Sequence, residues 1–202
     1  MTAGWIAAVP ANPFATRHTA PGRLPPRGGR GEPLDLEPLL DRARAAGMAA
    51  IVGPHGAGKT NLLTALAARL DEAGLLAGLV RPRSRADGVA VFRAVRAASP
   101  GATLCIDSWE TLGPALALVI RWTARRRRVG LLVTTHGSAG MPALMRCETT
   151  PELLTRLVAD LPPHGGLIRH DDVEDAFLRH GGDVREALYD LYDRFERRAR
   201  AR

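Results

Sequence analysis

Two hydrophobic periods alternate along this chain. "MAAIVG" (48–53) is a short, unbroken apolar run closed by a glycine, which predicts a buried strand. After it, "KTNLLTALAARLDEAG" (59–74) places Leu62, Leu63, Leu66 and Leu70 at helical spacing and stops at Gly74. The pattern then repeats as strand 75–80, helix 89–98, strand 102–107, helix 114–128, strand 129–135 and a short last strand over 143–150. A helix over 34–47 precedes the first strand. Strands that alternate with helices of about 10 to 15 residues predict an α/β fold, a mostly parallel sheet with helices on both faces.

The period breaks at both ends. Residues 1–33 are rich in Pro, Gly and Arg ("PGRLPPRGGRGEP"), show no period, and are expected to form a loose arm. From Pro151 onward only helical spacing remains, over 151–161, 171–181 and 183–200. The chain therefore divides into an arm (1–33), an α/β core (34–150) and a small helical subdomain (151–202).

Hydrophobic residues make up 46% of the 202 positions and charged ones 24%, enough apolar material for a real core. Only 4% is aromatic, so Ala, Leu and Val must fill that core. The net charge of +7 collects in "RPRSR" (81–85), "RRRR" (125–128) and "RFERRARAR" (194–202). These clusters read as solvated faces and helix ends, or as a surface for nucleic acid or an acidic protein. Few aromatics lie among them to stack unpaired bases. Cys105 and Cys147 sit in or beside apolar runs and are expected as buried thiols of a reducing cytoplasm. The first residues carry no basic leader, so a signal peptide is not expected. No apolar stretch approaches the roughly 20 residues of a membrane span, so no membrane partner is expected.

The chemistry concentrates after the first predicted strand. Gly53, Pro54, His55, Gly56, Ala57, Gly58, Lys59 and Thr60 fit GxxxxGK(S/T) where a strand ends and a helix begins. Glycines let such a loop curl so that its N–H groups face phosphate oxygens at a helix N-terminus. Lys59 is the only lysine in the chain; every other member of the 28 Lys+Arg is arginine. A compact ammonium on a flexible stem can reach over the loop to the β- and γ-phosphates, where a rigid fork is poorly shaped. Thr60 offers a hydroxyl to Mg²⁺, and Asn61, next in the first turn, is expected among the residues that bind the nucleotide. A single lysine also excludes an Asn-Lys-x-Asp guanine reader and any mechanism that needs a second lysine.

"LCIDSWETL" (104–112) resembles the second nucleotide motif, Walker B, with Asp107 at the strand end to hold Mg²⁺ opposite Thr60. Ser108 stands where many ATPases have glutamate. The spacing resembles NACHT and related signal-transduction ATPases, which makes Glu110 the candidate to orient a water. The alternative is a surface glutamate that starts a helix. Thr134, Thr135 and His136 close the next strand, where ATPases of the additional-strand class sense the γ-phosphate; Thr135 or His136 matches that place. In "GGDVREALYDL", Asp183 is a good N-cap with Glu186 three residues on. Arg185 then sits in a first turn, where its charge opposes the helix dipole and invites an anion. The stretch resembles the "sensor 2" run of AAA+ ATPases, whose arginine touches the γ-phosphate; the alternative is an ion pair with an acid such as Asp172.

In order, these motifs resemble a minimal P-loop NTPase of the additional-strand class, AAA+ or signal-transduction type, over 34–202. "NPFATR", "GPHGAGKT" and "HGGDVREALYDLY" also resemble small bacterial ATP-binding proteins of planctomycete type. The resemblance implies ATP and Mg²⁺ as ligands, slow hydrolysis, and a lid that closes on the nucleotide. It also implies Asn12-Pro13-Phe14 near the adenine, unless that segment is a disordered tail. The role is then that of a regulatory or assembly switch, with a protein client or self-association, and Arg121, Arg125 or Arg146 as a finger into a neighbour. The alternatives are a P-loop phosphotransferase, whose acceptor domain is not visible, and a nucleic-acid-binding module with structural ATP.

Overall fold

The computed structural model describes residues 11–201. Five strands form one sheet: β1 Met48–Val52, β2 Leu76–Val80, β3 Thr103–Ile106, β4 Gly130–Thr135 and β5 Ala143–Arg146. Their order is β2-β3-β4-β1-β5, and every neighbouring pair is parallel. Parallel neighbours need crossovers. These are α3 (Lys59–Glu72), α4 (Gly88–Ala97) and α5 (Pro114–Arg127), while α2 (Glu37–Ala46) leads into β1. The link from β4 to β5, 136–142, holds no helix.

The central strands are apolar on both faces because helices cover both. On one side Leu62, Leu63, Leu66 and Leu70 of α3, with Leu39 and Leu40 of α2, pack on Ile51, Cys105 and Leu132. On the other, Val91 and Val95 of α4 and Ile120 and Ala124 of α5 meet Ala50, Ile106, Leu131 and Val133. Each fully buried leucine contributes about 1.5–3 kcal/mol. Both cysteines are free and buried; burial pushes the Cys105 thiol up to about 12 and that of Cys147 to about 11.

The C-terminal part is helical: α6 Pro151–Ala159, α7 His170–Arg179 and α8 Val184–Arg200. Thr150 caps α6 by accepting from the Leu153 amide at 3.2 Å, with Pro151 at the first helical position. Leu154, Val173, Ala176, Leu188, Leu191 and Phe195 form a core separate from the two sheet layers. The predicted strand over 143–150 ends at Arg146, since Thr149 and Thr150 already turn toward that cap.

The arm departs from its expectation. Over its described residues it is a strap fastened at both ends. Phe14 is 1% exposed and packs against Phe195, ring centroids 6.4 Å apart. Asn12 donates to the Tyr192 carbonyl at 3.1 Å and to Glu196 at 2.9 Å. Further on, α1 (Thr16–Thr19) makes one turn, and Arg27 clasps Asp160 through two hydrogen bonds of 2.7 Å. The prolines and glycines that erase the period are what let the chain bend around the molecule. Residues 1–10, which include the start read for a leader, and residue 202 lie outside the described residues.

Candidate phosphate and metal site

The loop between β1 and α3 is curled by two glycines at positive φ, Gly56 (+69°) and Gly58 (+77°), the second being the N-cap of α3. Gly53 lies under β5; a Cβ there would stand 2.6 Å from the Cys147 carbonyl. A Cβ at Gly56 would collide with the Asp183 carboxylate, so the start of α8 rests directly on the loop. Asp183 caps α8 by accepting from the amides of Arg185 (2.9 Å) and Glu186 (3.2 Å).

Lys59 is 8% exposed, and its ammonium is folded back over the loop. It donates to the carbonyls of Gly53 (2.8 Å) and Pro54 (2.6 Å) and lies 3.2 Å from Nδ1 of His136. Burial lowers its pKa from the ordinary lysine value, opposed by the nearby Cys147, Glu110 and Asp107. Among the described residues no carboxylate lies within ion-pair distance of it.

Across the sheet, Asp107 is buried at the end of β3. Its Oδ1 accepts from Thr60 Oγ1 at 3.1 Å and from Thr134 Oγ1 at 2.6 Å, while Arg81 Nε stands 3.7 Å from Oδ2. Thr134 also accepts from the Ser108 amide at 2.8 Å. It thereby joins the tips of β3 and β4 and fixes the carboxylate's direction. Ser108 takes a left-handed conformation, φ +72°, to start the 3₁₀ turn Trp109–Leu112 that carries Glu110.

His136 ties these parts together. Its Nε2 is 3.3 Å from Glu110 Oε1, and its ring stacks on His55 with centroids 3.7 Å apart. Burial first, then the Lys59 charge, lower its pKa. A neutral ring that accepts from the lysine at Nδ1 and donates to Glu110 at Nε2 satisfies both contacts.

No protein-family model matches the chain. No curated protein matches it either. Among solved structures it is similar to C. elegans PCH-2, with a TM-score of 0.42 and 12% identity over 82% of this chain and 67% of that one. A likeness this distant says nothing of the site.

A cleft of about 570 Å³ joins the loop, the strap and α8, within the usual range for small-molecule sites. His55, Lys59, Thr60, Asp107, Glu110 and His136 line it from the sheet region, and Arg185 lines it from α8. Asn61 lines the cleft too, yet its amide is committed elsewhere. It accepts from the Gly22 amide at 2.7 Å and donates to the Leu24 carbonyl at 3.0 Å, which clips the strap to α3.

Two expectations are corrected. Asn12, Pro13 and Phe14 pack in or on the helical bundle, and it is Thr16 to Arg27 that wall the cleft. Asp172 does not pair with Arg185, because Arg194 and Arg198 take it from inside the bundle. Arg121, Arg125 and Arg146 lie outside the chain's own cleft, and Arg121 is tucked against Gly140. Sequence reasoning passed over Thr134 as the orienter of Asp107. The signal was present: β3 and β4 run parallel with Ile106 beside Val133, so the next residues, Asp107 and Thr134, become neighbours.

Proposed function

We propose that this chain binds a nucleoside triphosphate, ATP, with Mg²⁺ in the cleft between sheet and helical bundle and hydrolyses it slowly as a regulatory or assembly switch. One observation carries the reading: a buried ammonium at a helix N-terminus, held by neutral acceptors and by no carboxylate. Such a charge is unbalanced, and a polyanion would balance it. The glycine curl beside it leaves room for the close approach of phosphate oxygens.

The donor set also suits the metal. Thr60 hydroxyl and Asp107 carboxylate oxygens, 3.1 Å apart, are hard ligands of the kind and number Mg²⁺ uses alongside phosphate oxygens and water. When bound, the ion would neutralise charge on the phosphates. Lys59 would hold the β- and γ-oxygens, the amides of Gly56 to Thr60 would cradle them, and Arg185 would reach the terminal phosphate from the lid side. Glu110 would orient a water only after parting from His136, which favours slow turnover.

Binding of Mg²⁺-ATP and phosphate release should be measured in the wild type, Lys59→Ala, Glu110→Gln and Arg185→Ala. Lys59→Ala should abolish measurable binding. Glu110→Gln should retain binding and lose about 10²-fold or more in turnover. Unchanged affinity in Lys59→Ala would overturn the reading. Label passing from ATP to added hydroxyl acceptors instead of water would mark a phosphotransferase.

A further inference from the structure

Between Gly88 and Cys147 the chain carries eight arginines and two carboxylates, Asp107 and Glu110, both used at the cleft. The outer surface of this region is therefore basic, and on α5 it is also apolar. Leu118, Val119 and Trp122 are 64%, 47% and 56% exposed, half of the large exposed hydrophobics among the described residues. Their spacing puts them on one face of the helix. Exposed Arg125 to Arg128 follow directly, and the Arg126 guanidinium lies 4.5 Å over the Trp122 ring. A solvated helix turns charges outward, not leucine and tryptophan.

The complementary surface lies on α7. Asp171, Glu174, Asp175 and Leu178 are all exposed and fall on one helical face, and Leu178 is 74% exposed. Asp175 is already held by Arg179 and Arg194 and Glu174 stands 3.4 Å from His170, so Asp171 and Glu174 carry the acidity around the apolar Leu178; the α5 face is basic with an apolar centre. The two helices belong to different cores of the chain. Their match is therefore made between copies and not within one.

We propose that α5 of one copy docks on α7 of a second copy, a head-to-tail contact that joins unlike faces of the same chain. Trp122 and Leu178 form its apolar centre, and Arg125 and Arg126 face Asp171 and Glu174 at its rim. A nucleic acid would use the arginines and leave the exposed leucine and tryptophan unexplained. A lipid surface would leave the acidic face of α7 unexplained. A second copy accounts for both. This proposal does not depend on the nucleotide reading.

Sedimentation velocity of the full chain over a wide concentration range tests it. Wild type should self-associate reversibly, less so at high salt because the rim pairs are screened. Trp122→Glu and Leu178→Lys should each raise the dissociation constant at least about tenfold, as loss of an interface anchor does. Both side chains are exposed, so the thermal transition should stay unchanged. Mixing the two variants should restore one intact contact and give a 1:1 pair. A wild type that stays monomeric, association that survives Leu178→Lys, or a mixture that fails to pair would overturn the proposal. So would duplex DNA or anionic vesicles binding through Trp122 without self-association, which would assign the face to those partners.

Discussion

Ile51 on β1 of the sheet and Asp172 inside the helical bundle are both buried, yet they hold their regions by different means. Around Ile51 the contacts are apolar, and the sheet region's buried polar groups collect at the strand tips as Lys59, Asp107, Thr134 and Thr135, apart from Thr123 on α5. Around Asp172 the polar groups are part of the packing itself. Arg198 forks onto its carboxylate, Arg194 stands 3.5 Å away, and the Arg169 amide donates at 2.8 Å. The sheet can therefore lose a site residue and remain folded, whereas the bundle cannot lose its carboxylate cheaply.

The largest expected break in that contrast is Phe195→Ala. Phe195 is fully buried against Phe14 and the bundle core, and truncation should cost about 3–5 kcal/mol in chemical denaturation. Strap and bundle should loosen together, read as faster proteolysis in the strap.

Asp172→Asn should come next, at about 2–3 kcal/mol near neutral pH, since it removes a buried carboxylate and leaves the partly buried Arg194 and Arg198 short of their partner. The pH dependence has a definite sign. Hydrogen bonds from Arg198 hold the Asp172 carboxyl well below the usual aspartate range, and those from Arg194 lower Asp190. Their contribution is complete above the unfolded value of about 3.9 and is lost as pH falls through the depressed folded values. Denaturation midpoints should therefore drop from about pH 4 downward, with a shallower slope in Asp172→Asn. An equally steep slope in that variant would detach Asp172 from the acid response.

Gly56→Ala is the sharpest test where the two regions touch. The added methyl meets both a positive φ and the Asp183 carboxylate, and should cost about 1–2 kcal/mol of stability. If the cleft binds nucleotide as proposed, affinity should fall by more than stability does, checked by thermal shift with and without Mg²⁺-ATP. Ser108→Gly is the smallest and has the opposite sign. Relief of the left-handed strain at φ +72° should stabilise the fold by about 0.5 kcal/mol.

Much of this molecule was legible before its structure. The run 48–53, the leucine spacing of 59–74 and the alternation after them are local signals, and β1, α3 and the later elements lie within a few residues of them. The strap was not legible. Its contacts, Phe14 on Phe195 and Gly22 on Asn61, join residues far apart in sequence, and a segment without period carries no sign of its destination. Asn61 shows the same gap: its position put it at the cleft, while its tie to the strap came from residues far away in sequence.

The kind of fold and the curl of the loop over 53–60 could be read from the residues alone, because periodicity and glycine act through the backbone around them. The tertiary structure alone decided which groups meet: Thr134 on Asp107, His136 between Lys59 and Glu110, Asp183 on Gly56, Asp172 with Arg198. Those meetings depend on strand order and helix docking, set by burial over the whole chain, and no short stretch of residues encodes them.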